Sequence, residues 1–235
     1  MSQSLVVSFV KKIRGKKFKN VEMILAPSYP FLASAKKEIG KNKIGLSAQN
    51  VAGRENGALT GEVSAKMLKD VGCQYVIIGH SERRGLLGET DKMINEKMKM
   101  ALKNNLVPIL CVGETNEQKK EGRRDTVLID QVKQALSKVD NLCKKKIIIA
   151  YEPVWAIGSG SVVAMDDLEE AYRVIKRAVS MICSSTYFEE KVKFVYGGSV
   201  KASNVAELKE LDYLHGFLIG GAGLNPVDFV KVIEA

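Results

Sequence analysis

The chain has 235 residues, near the upper limit of what one hydrophobic core supports, so its length allows one large domain or two small ones. Hydrophobic residues make up 46% and charged residues 27%, a globular composition that excludes a disordered chain. The net charge is +9, but the lysines are scattered and no basic block is interleaved with aromatic residues. The charge therefore indicates solvated helix faces and a field that attracts small anions, and nucleic-acid binding is not predicted.

The first predicted element is an amphipathic helix, with Ser2 or Ser4 as its N-cap. Its apolar face is formed by Leu5, Phe9, Val10 and Ile13. This apolar stretch is much shorter than the about 18–20 residues needed to cross a bilayer. Its basic residues follow it, which is the reverse of a signal peptide, and no later apolar run is longer. We therefore expect no membrane segment.

Seven short apolar runs follow, rich in Val, Ile and Leu and without clean alternation, as is typical of strands buried on both faces. They span residues 21–27, 44–50, 75–80, 107–113, 147–153, 193–199 and 216–223. Stretches with helical periodicity separate them, and two clear stripes are Ile94, Met98, Ala101 and Leu102, and Leu168, Ala171, Tyr172, Ile175 and Val179. Alternating strands and helices predict a parallel β/α architecture.

Polar residues and glycines follow nearly every predicted strand. An open doubly wound sheet would gather them mainly at one switch point, whereas a closed barrel carries its chemistry at the carboxyl ends of all its strands. We therefore predict a barrel. A barrel of this type needs eight strands and we count seven, because no strand precedes the first helix. The missing strand would leave two unpaired edges.

The four cysteines are more than 30 positions apart, and none forms a Cys-x-x-Cys pair, which excludes a zinc ribbon and a redox motif. They are Cys73, Cys111, Cys143 and Cys183. We expect free thiols and a reducing, cytoplasmic location. Only two histidines are present, His80 and His215, so a histidine-rich metal site is not predicted.

Two residues at predicted strand ends are candidates for acid–base chemistry. His80 ends the third run, and Glu152 follows the apolar run at 147–151. A carboxylate in that position either faces solvent or serves as a general base whose pKa is raised by burial. The apolar loop from Pro153 to Gly160 that follows favours the second interpretation, because such a loop can exclude water from a site. The alternative is an ordinary packed loop anchored by Trp155.

Two glycine-containing turns end the last two runs. One is Tyr-Gly-Gly-Ser, ending at Ser199, and the other begins with Gly220 and Gly221. Glycine lets the backbone approach a ligand closely, so that its N–H groups reach phosphate oxygens. The last two strands of barrel enzymes often supply the phosphate site, and two such turns in this order predict one here.

These motifs resemble the triosephosphate isomerase family. The resemblance rests on Ile-Gly-His-Ser-Glu-Arg-Arg around His80, on Ala-Tyr-Glu-Pro-Val-Trp-Ala-Ile-Gly-Ser-Gly around Glu152, and on Tyr-Gly-Gly-Ser-Val with Ile-Gly-Gly-Ala near the end of the chain. Shorter motifs at 26–27, 48–50, 60–62 and 111–114 occur in the family's order. The resemblance implies a single barrel domain over residues 1–235.

The resemblance also implies roles for residues at these positions. Glu152 would be the base that removes a proton from dihydroxyacetone phosphate, and neutral His80 would polarise its carbonyl. Gly158, Ser199, Gly220 and Gly221 would hold the phosphate through backbone N–H groups. Ser81, Glu82 and Cys111 would support the site, with Glu114 just beyond. No cofactor or metal is implied.

Assembly is a further implication. Residues 50–62 form a long stretch without regular pattern, and loops of this length in compact domains usually have a function. The resemblance implies a homodimer in which Thr60 reaches the partner's site. The alternative is a mobile surface loop.

The chain departs from the family at its start. The family's first strand ends in Asn-x-Lys, whose lysine contacts substrate, and no such strand precedes the first helix here. We therefore expect an N-terminally truncated barrel. Three functions stay open: the triose phosphate isomerase, a different phosphate-binding barrel enzyme, and an inactive or vestigial barrel that binds a phosphate ligand.

Overall fold

The computed structural model describes residues 2–16, 18–157 and 163–235. Its strands are β1 (Met23–Leu25), β2 (Ile44–Ala48), β3 (Tyr75–Ile78), β4 (Val107–Val112), β5 (Ile147–Tyr151) and β6 (Val192–Tyr196). Its helices are α1 (Gln3–Ile13), α2 (Leu32–Ile39), α3 (Ala65–Val71), α4 (Ser81–Leu86), α5 (Asp91–Lys103), α6 (Asn116–Lys120), α7 (Arg124–Leu136), α8 (Met165–Ser180), α9 (Ser185–Lys191), α10 (Val205–Lys209) and α11 (Pro226–Glu234).

The strands form one parallel sheet in the order of the chain, from β1 to β6. Helices between consecutive strands follow from this order, because a parallel connection must return to the starting end of the sheet. All carboxyl ends of the strands therefore lie at one edge, where the predicted site residues follow them. This architecture confirms the parallel β/α class that the sequence predicts.

Alternate residues of the strands pack on opposite faces of the sheet. On one face Leu110 and Ile149 join the large core shared with the helices. On the other face a smaller cluster is built from strand residues alone, namely Ile77, Ile109, Cys111 and Ala150. Residues from Ala26, just after β1, to Leu218 border this small cluster, so the sheet curls around it. Burial on both faces is what continuous apolar runs predict.

The helices bury the predicted stripes. Thr90 caps α5 through a hydrogen bond from the N–H of Met93, and its buried face includes Ile94 and Met98, as predicted. In α1, the N-cap is Ser2 rather than Ser4. The predicted face of α1 is wrong at one position, because Leu5 is exposed and Val6 is buried in its place.

The seventh predicted strand is not formed as a strand. Phe217 makes an isolated parallel bridge with Tyr196, and Leu218 donates its N–H to the carbonyl of Tyr196. This segment pairs with β6 on one side only, and its pairing does not extend into a ladder. At the other end of the sheet, β2 is the only strand paired with β1 within the described residues.

The expectation of four free thiols is wrong for two of them. Cys143, just before β5, and Cys183, between α8 and α9, form a disulfide with a Cα–Cα distance of 5.6 Å. The α8–α9 connection returns to the amino end of the sheet and so meets the segment that leads into β5. This proximity depends on tertiary packing, which the 40-residue separation does not reveal. Cys73 and Cys111 are free and buried.

Candidate active site

Glu152 directly follows β5, and its backbone N–H continues the sheet ladder with a 2.8 Å hydrogen bond to the carbonyl of Val112. Its side chain is only 2% exposed. Oε2 accepts a 2.9 Å hydrogen bond from the N–H of Ser81. Oε1 lies 3.1 Å from Nε2 of His80 but without the alignment of a hydrogen bond, and it has no hydrogen-bond partner among the described residues. One carboxylate oxygen is therefore held while the other stays available.

His80 is placed by the turn that ends β3. Gly79 before it has a φ of +75°, a left-handed conformation that suits glycine. His80 is the N-cap of α4, and its Nδ1 accepts the N–H of Glu82 at 3.3 Å. A ring nitrogen that accepts a hydrogen bond carries no proton, so the neutral ring has its proton on Nε2. That N–H faces the same space as Glu152.

Burial sets the electrostatics of this pair. Desolvation raises the pKa of Glu152, and the opposing effects of His80, the Ser81 N–H and the Cys111 thiol lower it without cancelling the rise. Desolvation, then the adjacent carboxylate of Glu152, raises the pKa of Cys111 well above its ordinary value. Cys111 is thus a neutral thiol beside a carboxylate that is more basic than an exposed one.

Two glycines allow the backbone of Glu152 to fit. A Cβ on Gly113 would lie 1.7 Å from the carbonyl oxygen of Glu152, which no side chain tolerates. A Cβ on Gly197 would lie 2.8 Å from Cγ of Glu152. Gly197 also donates its N–H to the carbonyl of Tyr151 at 2.8 Å. The ends of β4 and β6 therefore enclose the glutamate from both sides, and only glycine permits that closeness.

The segment after Glu152 is a 3₁₀ turn, Val154–Ala156, anchored to a second buried glutamate. Oε1 of Glu114 accepts the indole N–H of Trp155 at 2.7 Å, and both carboxylate oxygens of Glu114 lie 3.2 Å from the hydroxyl of Tyr151. The N–H of Val154 donates to the backbone carbonyl of Glu114. Glu114 is completely buried, so these hydrogen bonds compensate for its desolvation.

The Val154–Ala156 turn also contacts the predicted phosphate turn. The hydroxyl of Ser199 donates to the carbonyl of Ala156 at 3.0 Å, and Asn204 donates to the carbonyl of Ser199 at 2.9 Å. Gly220 and Gly221 are exposed, with no atom within 4 Å of where a side chain would project. Their backbone is therefore accessible to a ligand.

The family model for triosephosphate isomerase matches residues 1–235. The chain belongs to the triosephosphate isomerase family. The triosephosphate isomerase of Dictyoglomus turgidum is similar at 40% identity over 230 residues, which are 97% of this chain and 92% of that relative. The relative from Chlorobium luteolum is 45% identical over 211 residues, 90% of this chain and 83% of its own length.

Membership of the triosephosphate isomerase family confirms the family that the motifs indicate, and with it the barrel class of the fold. A third relative of that name, from Pelodictyon phaeoclathratiforme, is 44% identical over 221 residues, 94% of this chain and 87% of the relative. The match spans the fold from α1 to α11, so the resemblance does not depend on one motif.

The structure brings four predicted residues together, because His80, Ser81, Cys111 and Glu152 all take part in the interactions of the buried carboxylate. Glu82 is less enclosed: its side chain is 73% exposed, with Oε2 3.8 Å from Nδ1 of His80.

The other predicted residues lie further from this pair. Ser199 is joined to it through the Val154–Ala156 turn. Thr60 is exposed in the long loop, which forms no helix or strand, as predicted. Gly158 lies outside the described residues.

Sequence reasoning missed the importance of Gly113 and Gly197. Both glycines end an apolar run, Gly113 alone and Gly197 as the first of two. Glycine there is typical of close backbone approach, but the approaching partner comes from another strand. Within the described ranges, no cluster of three or more His, Cys, Asp or Glu side chains is suited to bind a metal ion. In the same ranges, no helix has the length and apolarity of a membrane span.

Proposed function

We propose that the chain interconverts dihydroxyacetone phosphate and D-glyceraldehyde 3-phosphate, the triose phosphate step of glycolysis and gluconeogenesis. The observation that carries the proposal is the pair formed by Glu152 and His80. Oε1 of Glu152 is buried, lacks a hydrogen bond within the described residues, and lies 3.1 Å from Nε2 of His80. Glu152 as the base and His80 as a neutral proton donor would thus face the same position, where the substrate binds.

The reaction moves one proton between two carbons. Glu152 takes the proton from C1 of dihydroxyacetone phosphate, and the electron pair of the broken C–H bond forms an enediolate. His80 donates a hydrogen bond from Nε2–H to the carbonyl oxygen and transfers protons between the two oxygens. Glu152 then returns its proton to C2. The raised pKa of Glu152 makes it a stronger base than an exposed carboxylate.

The phosphate would be bound by backbone N–H groups of Ser199, Gly220 and Gly221, with Gly158 completing the set. The exposed backbone at Gly220 and Gly221 supports this assignment. The net charge of +9 also favours the approach of an anionic substrate. The chemistry proposed for Glu152 and His80 uses neither a cofactor nor a metal.

We further propose a homodimer in which the loop at 50–62 packs against the partner, with Thr60 near the partner's His80. The exposure of Thr60 in a loop of this length supports an interface there. Sedimentation equilibrium tests the proposal, and a stable monomer at micromolar concentration would contradict it. We place this single-domain enzyme in the cytoplasm, although a disulfide such as Cys143–Cys183 is uncommon in that compartment.

A coupled assay tests the isomerase directly. The chain is supplied with dihydroxyacetone phosphate, and the glyceraldehyde 3-phosphate formed is oxidised by an added dehydrogenase whose reduced cofactor absorbs light. Turnover that the H80Q and E152D variants lack would establish both the reaction and the two residues. Normal turnover by both variants would show that the residues are wrongly assigned.

The second candidate is an inactive or vestigial barrel that binds a phosphate ligand. The observation that favours it is the side of β1 left without a strand within the described residues. The same assay is therefore run on a second chain, extended upstream by a strand that ends in Asn-x-Lys. Turnover by the chain without the extension supports the isomerase. Turnover by the extended chain alone, or phosphate-ligand binding without turnover by both, supports the second candidate. We expect the extended chain to be the more stable and the more active.

A further inference from the structure

Trp155 is the single tryptophan of the chain, and it lies three residues after Glu152. Its indole N–H is bound by Glu114, and the face of its ring is covered by Lys119 of α6, whose Nζ lies 3.6 Å from the ring centroid. An ammonium group over an aromatic face is attracted by the ring's electron density. Trp155 is therefore held at its edge by an anion and at its face by a cation.

Lys119 is itself fixed by the first turn of α8. Its Nζ donates to Oδ2 of Asp167 at 2.8 Å, and Arg124 binds the other oxygen of Asp167 at 3.2 Å. Arg124 also pairs with Glu170 at 2.6 Å. Lys119 thus belongs to a network of charges that ties α6, α7 and α8 together. Because Asp167 holds the ammonium group of Lys119, the lysine can in turn fix the position of the indole ring that it covers.

The position of Trp155 matters for both halves of the site. The turn that carries it begins right after Glu152 and Pro153, and the carbonyl of Ala156 at its end accepts the hydroxyl of Ser199. A shift of the indole would move this turn and, with it, the groups attached to its two ends. A displacement of about 1 Å at a reacting group can reduce turnover by ~10²-fold, so modest shifts have measurable effects.

We propose that Lys119 is a positioning residue. Held by Asp167, it fixes the indole of Trp155 and so keeps Glu152 and the Ser199 turn in their positions relative to each other. We call Lys119, Asp167 and Trp155 the indole clamp. Its effect on turnover rests on the proposed function, whereas its effect on the tryptophan does not. The competing interpretation is an ordinary surface ion pair between Lys119 and Asp167, which would contribute little and leave the indole unaffected.

The experiment compares five proteins: wild type, K119M, K119R, K120M and D167N. Methionine keeps the length of the lysine stem without its charge, and arginine keeps a cation that can stack on the ring. K120M is the matched control, because Lys120 is the exposed neighbour on the same helix. The readouts are the emission maximum and acrylamide quenching of the single tryptophan, kcat and KM, and the affinity for glycerol 3-phosphate measured by fluorescence titration.

We expect K119M to shift the emission of Trp155, increase its quenching and lower kcat/KM by about three- to tenfold, below the ~10²-fold effect of a full 1 Å displacement. It should also weaken binding of glycerol 3-phosphate. K119R should behave nearly as wild type, and K120M should be unchanged in every readout. D167N should shift the emission in the same direction as K119M.

Two results would overturn the proposal. If K119M and K120M have the same emission and quenching, the clamp does not hold the indole, whether or not the wild type turns over substrate. If the emission changes while kcat, KM and the affinity for glycerol 3-phosphate do not, the clamp does not position the site. A wild type without isomerase activity would refute the proposed function, and the ligand affinity would then decide the positioning role alone.

Discussion

Two buried glutamates follow neighbouring strands, and their surroundings differ. Glu114, after β4, is completely buried and receives hydrogen bonds from the hydroxyl of Tyr151 and the indole of Trp155. Glu152, after β5, is almost as buried, but its Oε1 has no hydrogen bond. The first carboxylate is surrounded by donors, whereas the second faces a histidine that is not aligned with it.

We propose that the difference separates a structural carboxylate, Glu114, from a reactive one, Glu152. Buried polar atoms in folded proteins are almost always hydrogen-bonded, so a buried oxygen without a partner requires an explanation. At Glu152 the explanation we propose is that substrate supplies the missing contact. Glu114 instead uses its oxygens to hold the Val154–Ala156 turn in place. The predictions below test this contrast, from the largest expected effect on turnover to the smallest.

Shortening the reactive carboxylate should have the largest effect. E152D withdraws the base by one methylene, and we expect kcat to fall by about 10²–10⁴-fold, the usual contribution of a positioned base. E114Q keeps the shape of the structural residue, and we expect it to lower kcat by no more than about tenfold, since it touches no reacting atom. Steady-state kinetics of both variants measures the difference, and equal losses would remove the distinction between the two glutamates.

Crowding the reactive carboxylate should have the next largest effect. A Cβ at Gly197 would lie 2.8 Å from Cγ of Glu152, so G197A must displace that side chain. We expect kcat to fall by about 10²-fold, as for a base displaced by about 1 Å. G85A is the matched control, because no atom lies within 4 Å of the Cβ it adds. Unchanged turnover in G197A would show that Glu152 has room to move.

The raised pKa of Glu152 predicts opposite effects of pH on turnover and on stability. Turnover needs the ionised form, so kcat/KM should fall as the pH drops through the raised pKa. Because the folded state binds this proton more tightly than the unfolded state, the carboxyl disfavours folding above its raised pKa. That penalty shrinks as the pH falls below the raised pKa and is absent below the ordinary pKa of the unfolded chain.

Replacing Glu152 by glutamine isolates this effect on stability. E152Q should be more stable to urea than wild type at pH 8, and the two should converge near pH 4. Urea unfolding curves at both values measure this. An E152Q variant that is less stable than wild type at pH 8 would mean that the charged form is favoured in the fold.

The smallest effect on turnover is expected from the disulfide, which joins segments near the amino end of β5. Reduction of Cys143–Cys183 opens a 40-residue loop and should lower stability by about 2–4 kcal/mol, or Tm by about 5–10 °C. We expect kcat to change by less than about twofold, because neither carboxylate is touched. Scanning calorimetry with and without dithiothreitol measures the shift in Tm. In the C143S/C183S double variant, dithiothreitol should cause no shift.

The sequence predicts strand and helix positions well because hydrophobic periodicity is a local signal. The run at 147–153 contains β5, and the stripe from Ile94 to Leu102 is the buried face of α5. Local signals do not show whether a run finds partners. The run at 216–223 has the composition of a strand, yet only Phe217 forms a bridge, because pairing depends on neighbours elsewhere in the chain.

The site is predictable to a similar extent. His80 and Glu152 follow from their positions at strand ends, and the structure places them 3.1 Å apart. The contribution of Gly113 is not visible in the sequence, since its partner is a carbonyl on the next strand. The interaction of Lys119 with Trp155 also joins distant residues, and no spacing between positions 119 and 155 indicates it.

The disulfide has a topological consequence for the region that contains Glu152. Residues 143–183 form a covalent ring that includes β5, Glu152 and all of α8. One proteolytic cut within this ring leaves a nicked chain whose two fragments remain joined through sulfur. Such a protein migrates as one band without reductant and as two bands with it. Two cuts in the ring are needed to release any part of the segment that carries Glu152.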